Sequence, residues 1–266
     1  MVAKLISLKK DKERRSSFYD KWQNLCIPIT WIPAIDGNEP LRLKEVMKTL
    51  QITEEGEIPR FYSGYRGTLK AGELGCSLSH LVALSEFLES TEDFLFILED
   101  DSQPMNVDLI NDILQNIRAY DFDLFLLGFR KNKMVPKKIS TLFWKALFTF
   151  RVWKPRSDFD QFLIDSLASW KSKRRPIMDN GLTSVFSSGS HYGTYAYIVN
   201  RRAAKELKHL LSSLKMRSDE AITFANQSMR LKIITTENPL VRVNADFISN
   251  IRDQRAQSET FAAHGV

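Results

Sequence analysis

Phe94-Leu95-Phe96-Ile97-Leu98-Glu99-Asp100-Asp101 sets five continuous apolar residues directly against three consecutive carboxylates. An apolar run this short and unbroken is the pattern of a strand covered on both faces, as in a parallel sheet. Three adjacent anions repel one another, so they need either full hydration or a positive partner. In open α/β sheets the carboxyl ends of the strands are where ligands bind. An acidic cluster at such an end suits a hard divalent cation, which takes oxygen ligands and bridges to phosphate. A solvated acidic turn after a core strand is the plainer alternative.

Working outward, strand and helix patterns alternate. Val2 to Leu8 reads as a strand and Asp11 to Asn24 as a charged helix. Cys26 to Ile32 reads as a second strand, closed by Pro33 and the turn Ile35-Asp36-Gly37-Asn38. Leu41 to Leu50 has the pattern of a short amphipathic helix, and Thr53 to Leu69 that of an extended polar loop. From Gly72 to Leu88, apolar residues recur at Leu74, Leu78, Leu81, Val82, Leu84, Phe87 and Leu88, a helical period. After the acidic strand, Val107 to Tyr120 reads as a helix and Leu124 to Gly128 as a strand. Alternation of this kind predicts a doubly wound parallel sheet.

The alternation stops at Lys131. From there to Pro176 the chain is rich in Lys, Arg, Phe and Trp, with Phe143, Trp144, Phe148, Phe150 and Trp153 among basic residues. This stretch has no second core of its own and reads as an insertion. Beyond it, Val185 to Ser188 and Tyr195 to Asn200 read as strands. Arg201 to Ser212 and Asp219 to Gln227 read as helices, and Leu231 to Thr235 as a last short strand. The chain of 266 residues, 43% of them hydrophobic, can bury one large core. A single domain is expected, in three parts: 1–130, the insertion 131–178, and 179–266.

The net charge of +6 favours anionic partners without choosing among nucleotides, phosphorylated lipids and nucleic acid. Cys26 and Cys76 exclude a disulfide framework and zinc-type ligand spacing, and both read as buried free thiols. Met1 to Leu8 is too soon interrupted by Lys9 and Lys10 for a signal peptide. No apolar run approaches the ~18 residues of a membrane span. A soluble or peripheral intracellular protein is expected.

Four separated segments then resemble one family, the family 25 glycosyltransferases. They are Ile6-Ser7-Leu8 with Asp11 to Arg15; Ile32 to Gly37; Gly72-Glu73-Leu74-Gly75-Cys76-Ser77-Leu78-Ser79-His80 followed by Ile97 to Asp101; and Gly193 to Ile198 with Arg201 to Ala204 and then Asp219. Asn is more usual in the family where Ser7 stands. The resemblance implies a GT-A type fold, a Rossmann-like nucleotide-binding sheet flanked by helices, with the basic aromatic insertion on the acceptor side. It also implies transfer of a hexose, most often galactose, from a UDP-sugar to a saccharide hydroxyl of a bacterial lipooligosaccharide or lipopolysaccharide. Inversion at the anomeric carbon and Mn²⁺, or another divalent cation, belong to the same expectation.

Under that resemblance the residues take roles. Asp101 is the first choice for contact with the metal, and Glu99 or Asp100 would hydrogen-bond the ribose or reach the metal through water, so Glu99 counts with both the metal and the nucleotide-sugar residues and Asp100 with the latter. Leu8, Arg14, Arg15, Asp36, Gly37, Ser79 and His80 complete the expected nucleotide-sugar site. Arginine suits bidentate pairing with phosphate, although a basic pair on a charged helix also reads as a solvated face. Asp36 reads as a uracil or ribose acceptor or as a plain Asp-Gly turn. His80 shares a helix face with Ser77 and Glu73; it reads as a satisfied core histidine or as support for the acidic residues. Asp219, in the first turn of a helix that Ser218 could cap, is the expected general base, against an ordinary acidic first turn. Asp179 and Asp246 stand in reserve. Gly189, His191, Tyr192, Gly193 and Thr194 form a polar, Gly-containing acceptor-side loop.

Two further readings follow from the insertion. Lys137, Lys138, Lys145, Arg151, Lys154 and Arg156 flank aromatic residues in a mixture that suits an anionic membrane surface, or a core with solvated charges. A basic membrane-surface or nucleic-acid-binding protein without catalysis is the alternative to the transferase, though no nucleic acid is expected. UDP-glucose and UDP-N-acetylhexosamine are the alternative donors.

Overall fold

The computed structural model describes residues 1–52, 69–130, 174–176, 183–186, 192–214, 216–227, 231–236, 238–244 and 246–247. The chain opens with strand β1 (Val2–Leu8), helix α1 (Lys12–Trp22), strand β2 (Ile29–Ala34) and helix α2 (Pro40–Thr49). Helix α3 (Ala71–Glu89) precedes β3 (Phe94–Glu99), β4 (Ser102–Pro104), α4 (Val107–Gln115) and β5 (Leu124–Arg130). Then come β6 (Arg174–Pro176), β7 (Thr183–Phe186), β8 (Tyr192–Asn200), α5 (Arg201–Leu211) and α6 (Ser218–Gln227). Strands β9 (Ile233–Thr236) and β10 (Val241–Val243) are the last described elements.

The strands form one mixed sheet in the order β2-β1-β3-β8-β5-β9-β7-β6, with β10 beside β4 and β5. Strands β2, β1 and β3 are parallel. The expected all-parallel sheet is corrected at β8, which enters antiparallel between β3 and β5. Strand direction leaves no mark on apolar periodicity, since a strand covered on both faces looks the same either way. Pro33, expected to end β2, lies inside it. Among the described residues strand β2 heads the sheet order and pairs with β1 alone, and an edge position tolerates a residue without an N–H. The expected helix from 107 to 120 stops at Gln115, with a separate 3₁₀ turn at Ile117–Ala119.

The unbroken apolar run of β3 divides by pleat. Leu95 and Ile97 face a core layer with Leu78, Leu81, Leu84 and Phe87 of α3 and with Leu207 and Leu211 of α5. Phe96 and Leu98 face the opposite layer with Phe18 and Trp22 of α1 and with Ile110 and Ile113 of α4. Helix caps are explicit at α4 and α5: Asn106 accepts from Leu109 N–H at 3.0 Å and Asn200 from Ala203 N–H at 2.8 Å. Arg201 donates to the carbonyls of Leu88, Ser90 and Glu92 and so closes the C-terminal end of α3.

The basic aromatic insertion falls outside the described residues apart from β6, as does the expected loop from 53 to 68. Cys26 is exposed and Cys76 half-buried, which corrects the expectation of two buried thiols; both are free. Among the described residues no helix is long and apolar enough to cross a membrane.

Candidate active site

The parallel run of β1, β2 and β3 brings the ends Leu8, Ala34 and Glu99 to one edge of the sheet. Because β8 is antiparallel, its opening residues Gly193 and Thr194 reach that same edge. The first turn of α3 lies there too, and an open cavity at this edge is lined by the ends of β1, β2 and β3 and by α3.

Close backbone packing sets this edge. A Cβ on Gly75 would stand 2.4 Å from the Ile35 carbonyl and 2.7 Å from the Gly37 nitrogen. One on Gly37 would stand 1.6 Å from the Ala71 carbonyl. Only glycine lets α3 and the 35–38 turn approach this closely. Ser79 adds a side-chain tie, donating to the Gly75 carbonyl at 2.7 Å while accepting from the Ile35 N–H at 2.8 Å.

The acidic run separates into distinct environments. Asp100 is buried; Ser7 donates to its Oδ2 at 2.6 Å, and Arg14 donates to its Oδ1 from Nε at 2.9 Å and Nη2 at 2.5 Å. Burial pulls the Arg14 pKa down, but Asp100 and Asp101 overcome it and hold the guanidinium charged. Arg14 lies 3.7 Å from Asp101, whose carbonyl accepts from the Asn244 N–H at 2.6 Å. Glu99 accepts from the Thr194 hydroxyl at 2.8 Å and lies 3.1 Å from His80 Nε2. Burial alone would raise Glu99; the hydrogen bond and charge of His80 outweigh it and hold the carboxyl below its ordinary range. His80 itself is fully buried, with Nδ1 2.8 Å from the Tyr197 hydroxyl.

Of the expected nucleotide-sugar residues, Leu8, Arg14, Asp36 and Gly37 line the cavity from the β1 and β2 side. Ser79, His80, Glu99, Asp100 and Asp101 line it from the α3 and β3 side. Arg15 is directed elsewhere. It donates to the Leu8 and Lys9 carbonyls and stacks 4.2 Å above the Trp31 ring, bracing the turn after β1. Lys10 donates to Asp36 at 2.6 Å, a bond that holds the Asp36 carboxyl below its usual range.

Asp219 lies in the first turn of α6 and is nearly buried. Its Oδ2 accepts from the Gly193 N–H at 3.3 Å, at a glycine with φ +88°. Among the described residues its Oδ1 has no hydrogen-bond partner, with Arg217 3.7 Å away. Burial pushes the Asp219 pKa up, against the opposing pull of Arg217 and the Gly193 amide. Ser218 does not act as the expected cap: it is the first helical residue, and its hydroxyl lies 3.0 Å from Thr194 Oγ1 and 3.7 Å from Cys76 Sγ. Asp246 is exposed and lies 3.5 Å from Lys21. Gly189, His191 and Asp179 lie outside the described residues, and Tyr192 enters only as the first residue of β8.

Sequence reasoning gave Ser7 and Cys76 no part in this edge, and Ser218 only that of a helix cap. Ser7 and Cys76 sit inside the very segments that carried the resemblance. Their small side chains gave no chemical signal until the fold set them beside Asp100 and Glu99.

The donor chemistry fits a divalent cation. Among the described residues five carboxylates line the cavity, those of Asp11, Asp36, Glu99, Asp100 and Asp101, against the two cations Arg14 and Lys10. The lining is therefore acidic, and oxygen ligands of this kind suit Mn²⁺ or Mg²⁺.

The model of glycosyltransferase family 25 (LPS biosynthesis protein) matches residues 2–222, and the chain belongs to this family. No curated protein matches the sequence. Among solved structures the chain is similar to the crystal structure of A197 from STIV at 10% identity, covering 94% of this chain and 97% of that chain with a TM-score of 0.36.

Proposed function

We propose that this family 25 member is a metal-dependent, inverting hexosyltransferase of GT-A type. It moves galactose from a UDP-sugar to a saccharide hydroxyl of a lipooligosaccharide or lipopolysaccharide. The observation that supports this reading is the convergence of Arg14, Asp36, Glu99 and Asp101 on one cavity at the carboxyl end of the sheet. A nucleotide diphosphate would call for such a place and such chemistry.

Asp36 and Gly37 offer a polar turn for the nucleoside. Arg14 faces the diphosphate while tied to Asp100, so its charge stays fixed in direction. Glu99 and Asp101, on either side of Asp100, would hold Mn²⁺; the ion supplies Lewis-acid neutralisation of the departing diphosphate. Asp219 is the base for the acceptor hydroxyl. Burial raises its proton affinity, which suits a group that must take a proton near neutral pH. Gly193 and Thr194 stand between the two sides, tied to Asp219 and Glu99. A glycolipid acceptor places the enzyme at the cytoplasmic face of the membrane, where the basic aromatic insertion would meet anionic head groups.

The test is a panel of UDP-galactose, UDP-glucose and UDP-N-acetylhexosamines with Mn²⁺, scored for donor hydrolysis and for transfer to lipooligosaccharide fragments. Mn²⁺-dependent turnover of UDP-galactose above the others is expected. Turnover of no donor, or equal turnover under chelation, overturns the reading.

A further inference from the structure

We propose that Cys76, His80 and Glu99 form a second metal site, one that takes a borderline ion of the Zn²⁺ class. One ligand atom from each residue lies within 4.8 Å of the other two. Cys76 and His80 are four apart on α3 and so share a face, which turns toward the end of β3 where Glu99 stands.

Two observations point to a ligand set rather than a chance cluster. First, each donor is held by a hydroxyl outside the trio. The Tyr197 hydroxyl lies 2.8 Å from His80 Nδ1, the Thr194 hydroxyl donates to Glu99 Oε1 at 2.8 Å, and Ser218 Oγ lies 3.7 Å from Cys76 Sγ. Metal ligands are typically oriented by such outer partners. Second, all three residues line the cavity, so three protein ligands would leave a fourth position facing it, as in an open rather than a closed zinc site.

The donor types separate this site from the carboxylate pair. Sulfur and imidazole nitrogen select Zn²⁺ over Mg²⁺ or Mn²⁺, whereas Glu99 with Asp101 is an oxygen set. Glu99 is common to both. Without the ion, His80 meets Glu99 through Nε2 and the Tyr197 hydroxyl through Nδ1. With the ion, Nε2 gives up its proton and offers its lone pair, while Nδ1–H donates to the Tyr197 oxygen. Cys76 binds as thiolate, and its proton leaves to solvent.

The test uses the full chain carrying Cys26→Ser, stripped of metal, so that Cys76 is its one thiol. Co²⁺, a spectroscopic stand-in for Zn²⁺, is added and the thiolate-to-cobalt charge-transfer absorption recorded. Zn²⁺ affinity is measured against a chromogenic chelator. One equivalent of Co²⁺ with a charge-transfer band is expected, and the band is lost in Cys76→Ser. Tyr197→Phe, which keeps the ring and removes only the outer hydroxyl, should weaken Zn²⁺ about 10- to 100-fold. Asp101→Asn should leave the band intact, which separates this site from the Mn²⁺ site. Absence of the band in the Cys26→Ser chain, or its persistence in Cys76→Ser, overturns the proposal whatever the fate of the transfer activity.

Discussion

The Thr194 hydroxyl donates to Glu99 Oε1 across 2.8 Å and lies 3.0 Å from Ser218 Oγ. One small side chain at the start of β8 thus ties the end of β3 to the start of α6. Under the proposed function these are the donor carboxylate and the helix that carries the base. Thr194→Val keeps the volume and removes the hydroxyl. Stability should fall by about 1 kcal/mol, as for one buried hydrogen bond. The concentration of Mn²⁺ giving half-maximal rate should rise, because Glu99 loses its fixed direction. Metal titration of turnover, alongside thermal unfolding, measures both; an unchanged metal dependence would detach Thr194 from the site.

Asp219→Asn separates chemistry from folding. Asn can still accept from the Gly193 N–H but cannot take a proton, so the rate should fall ~10²- to 10⁴-fold with donor binding preserved. The stability effect has the opposite sign. Burial raises the folded-state pKa of Asp219 above its unfolded value, so the ionised group costs stability once pH has risen through the folded pKa. The Asn variant should therefore be the more stable protein at neutral pH, and its advantage should vanish as pH falls through the carboxylate range. In the parent, the acid limb of the rate profile should lie above the ordinary aspartate value. Denaturation curves at several pH values and a pH–rate profile supply the measurements.

Asp101→Ala removes a carboxylate assigned to the cation while leaving the core layers untouched. Turnover should drop roughly a hundredfold or more, matching the loss of several kcal/mol of charge stabilisation. Far-ultraviolet circular dichroism should match the parent. Near-normal turnover in the presence of a chelator would refute the metal assignment.

Gly75→Ala tests the packing that shapes the cavity. The added methyl meets the backbone of Ile35 and Gly37 at 2.4 and 2.7 Å, and backbone cannot rotate away as a side chain can. Overpacking of this kind typically costs about 1–3 kcal/mol. Since the 35–38 turn and α3 both line the cavity, KM for the nucleotide sugar should rise more than kcat falls. Titration calorimetry with uridine diphosphate would register the weakened binding directly.

How far the sequence reached can be read from particular residues. The run Phe94 to Leu98 declared β3 because Leu95 to Leu98 are all buried on one face or the other and Phe94 is half-buried, a condition that apolar patterning records. Helix α3 was equally plain, since its apolar period faces one core layer. The carboxylates after β3 were visible because charge at a strand end is conspicuous. Strand β8 was recognised as a strand but not as an antiparallel one, because its pairing with Phe94 to Leu98 joins distant parts of the chain. The short strands β4 and β10 escaped notice; each is three residues long, too short for any period to show. Arg15 illustrates a different gap. Chemistry made it equivalent to Arg14, yet a one-residue rotation on α1 aims one guanidinium at Asp100 and the other at backbone carbonyls.

The antiparallel entry of β8 also has a consequence for how the molecule assembles. Phe94 waits for Asn200, and Leu98 for Ala196, across roughly a hundred residues of intervening chain. During synthesis β3 and β5 therefore remain open-edged, with strongly apolar faces, until the ribosome has delivered β8. Such an interval of exposed edges is where chains associate wrongly. Maturation of this protein should be slow relative to its size and sensitive to chaperone supply, and chains truncated before Tyr192 should be recovered as aggregates rather than as a folded N-terminal half.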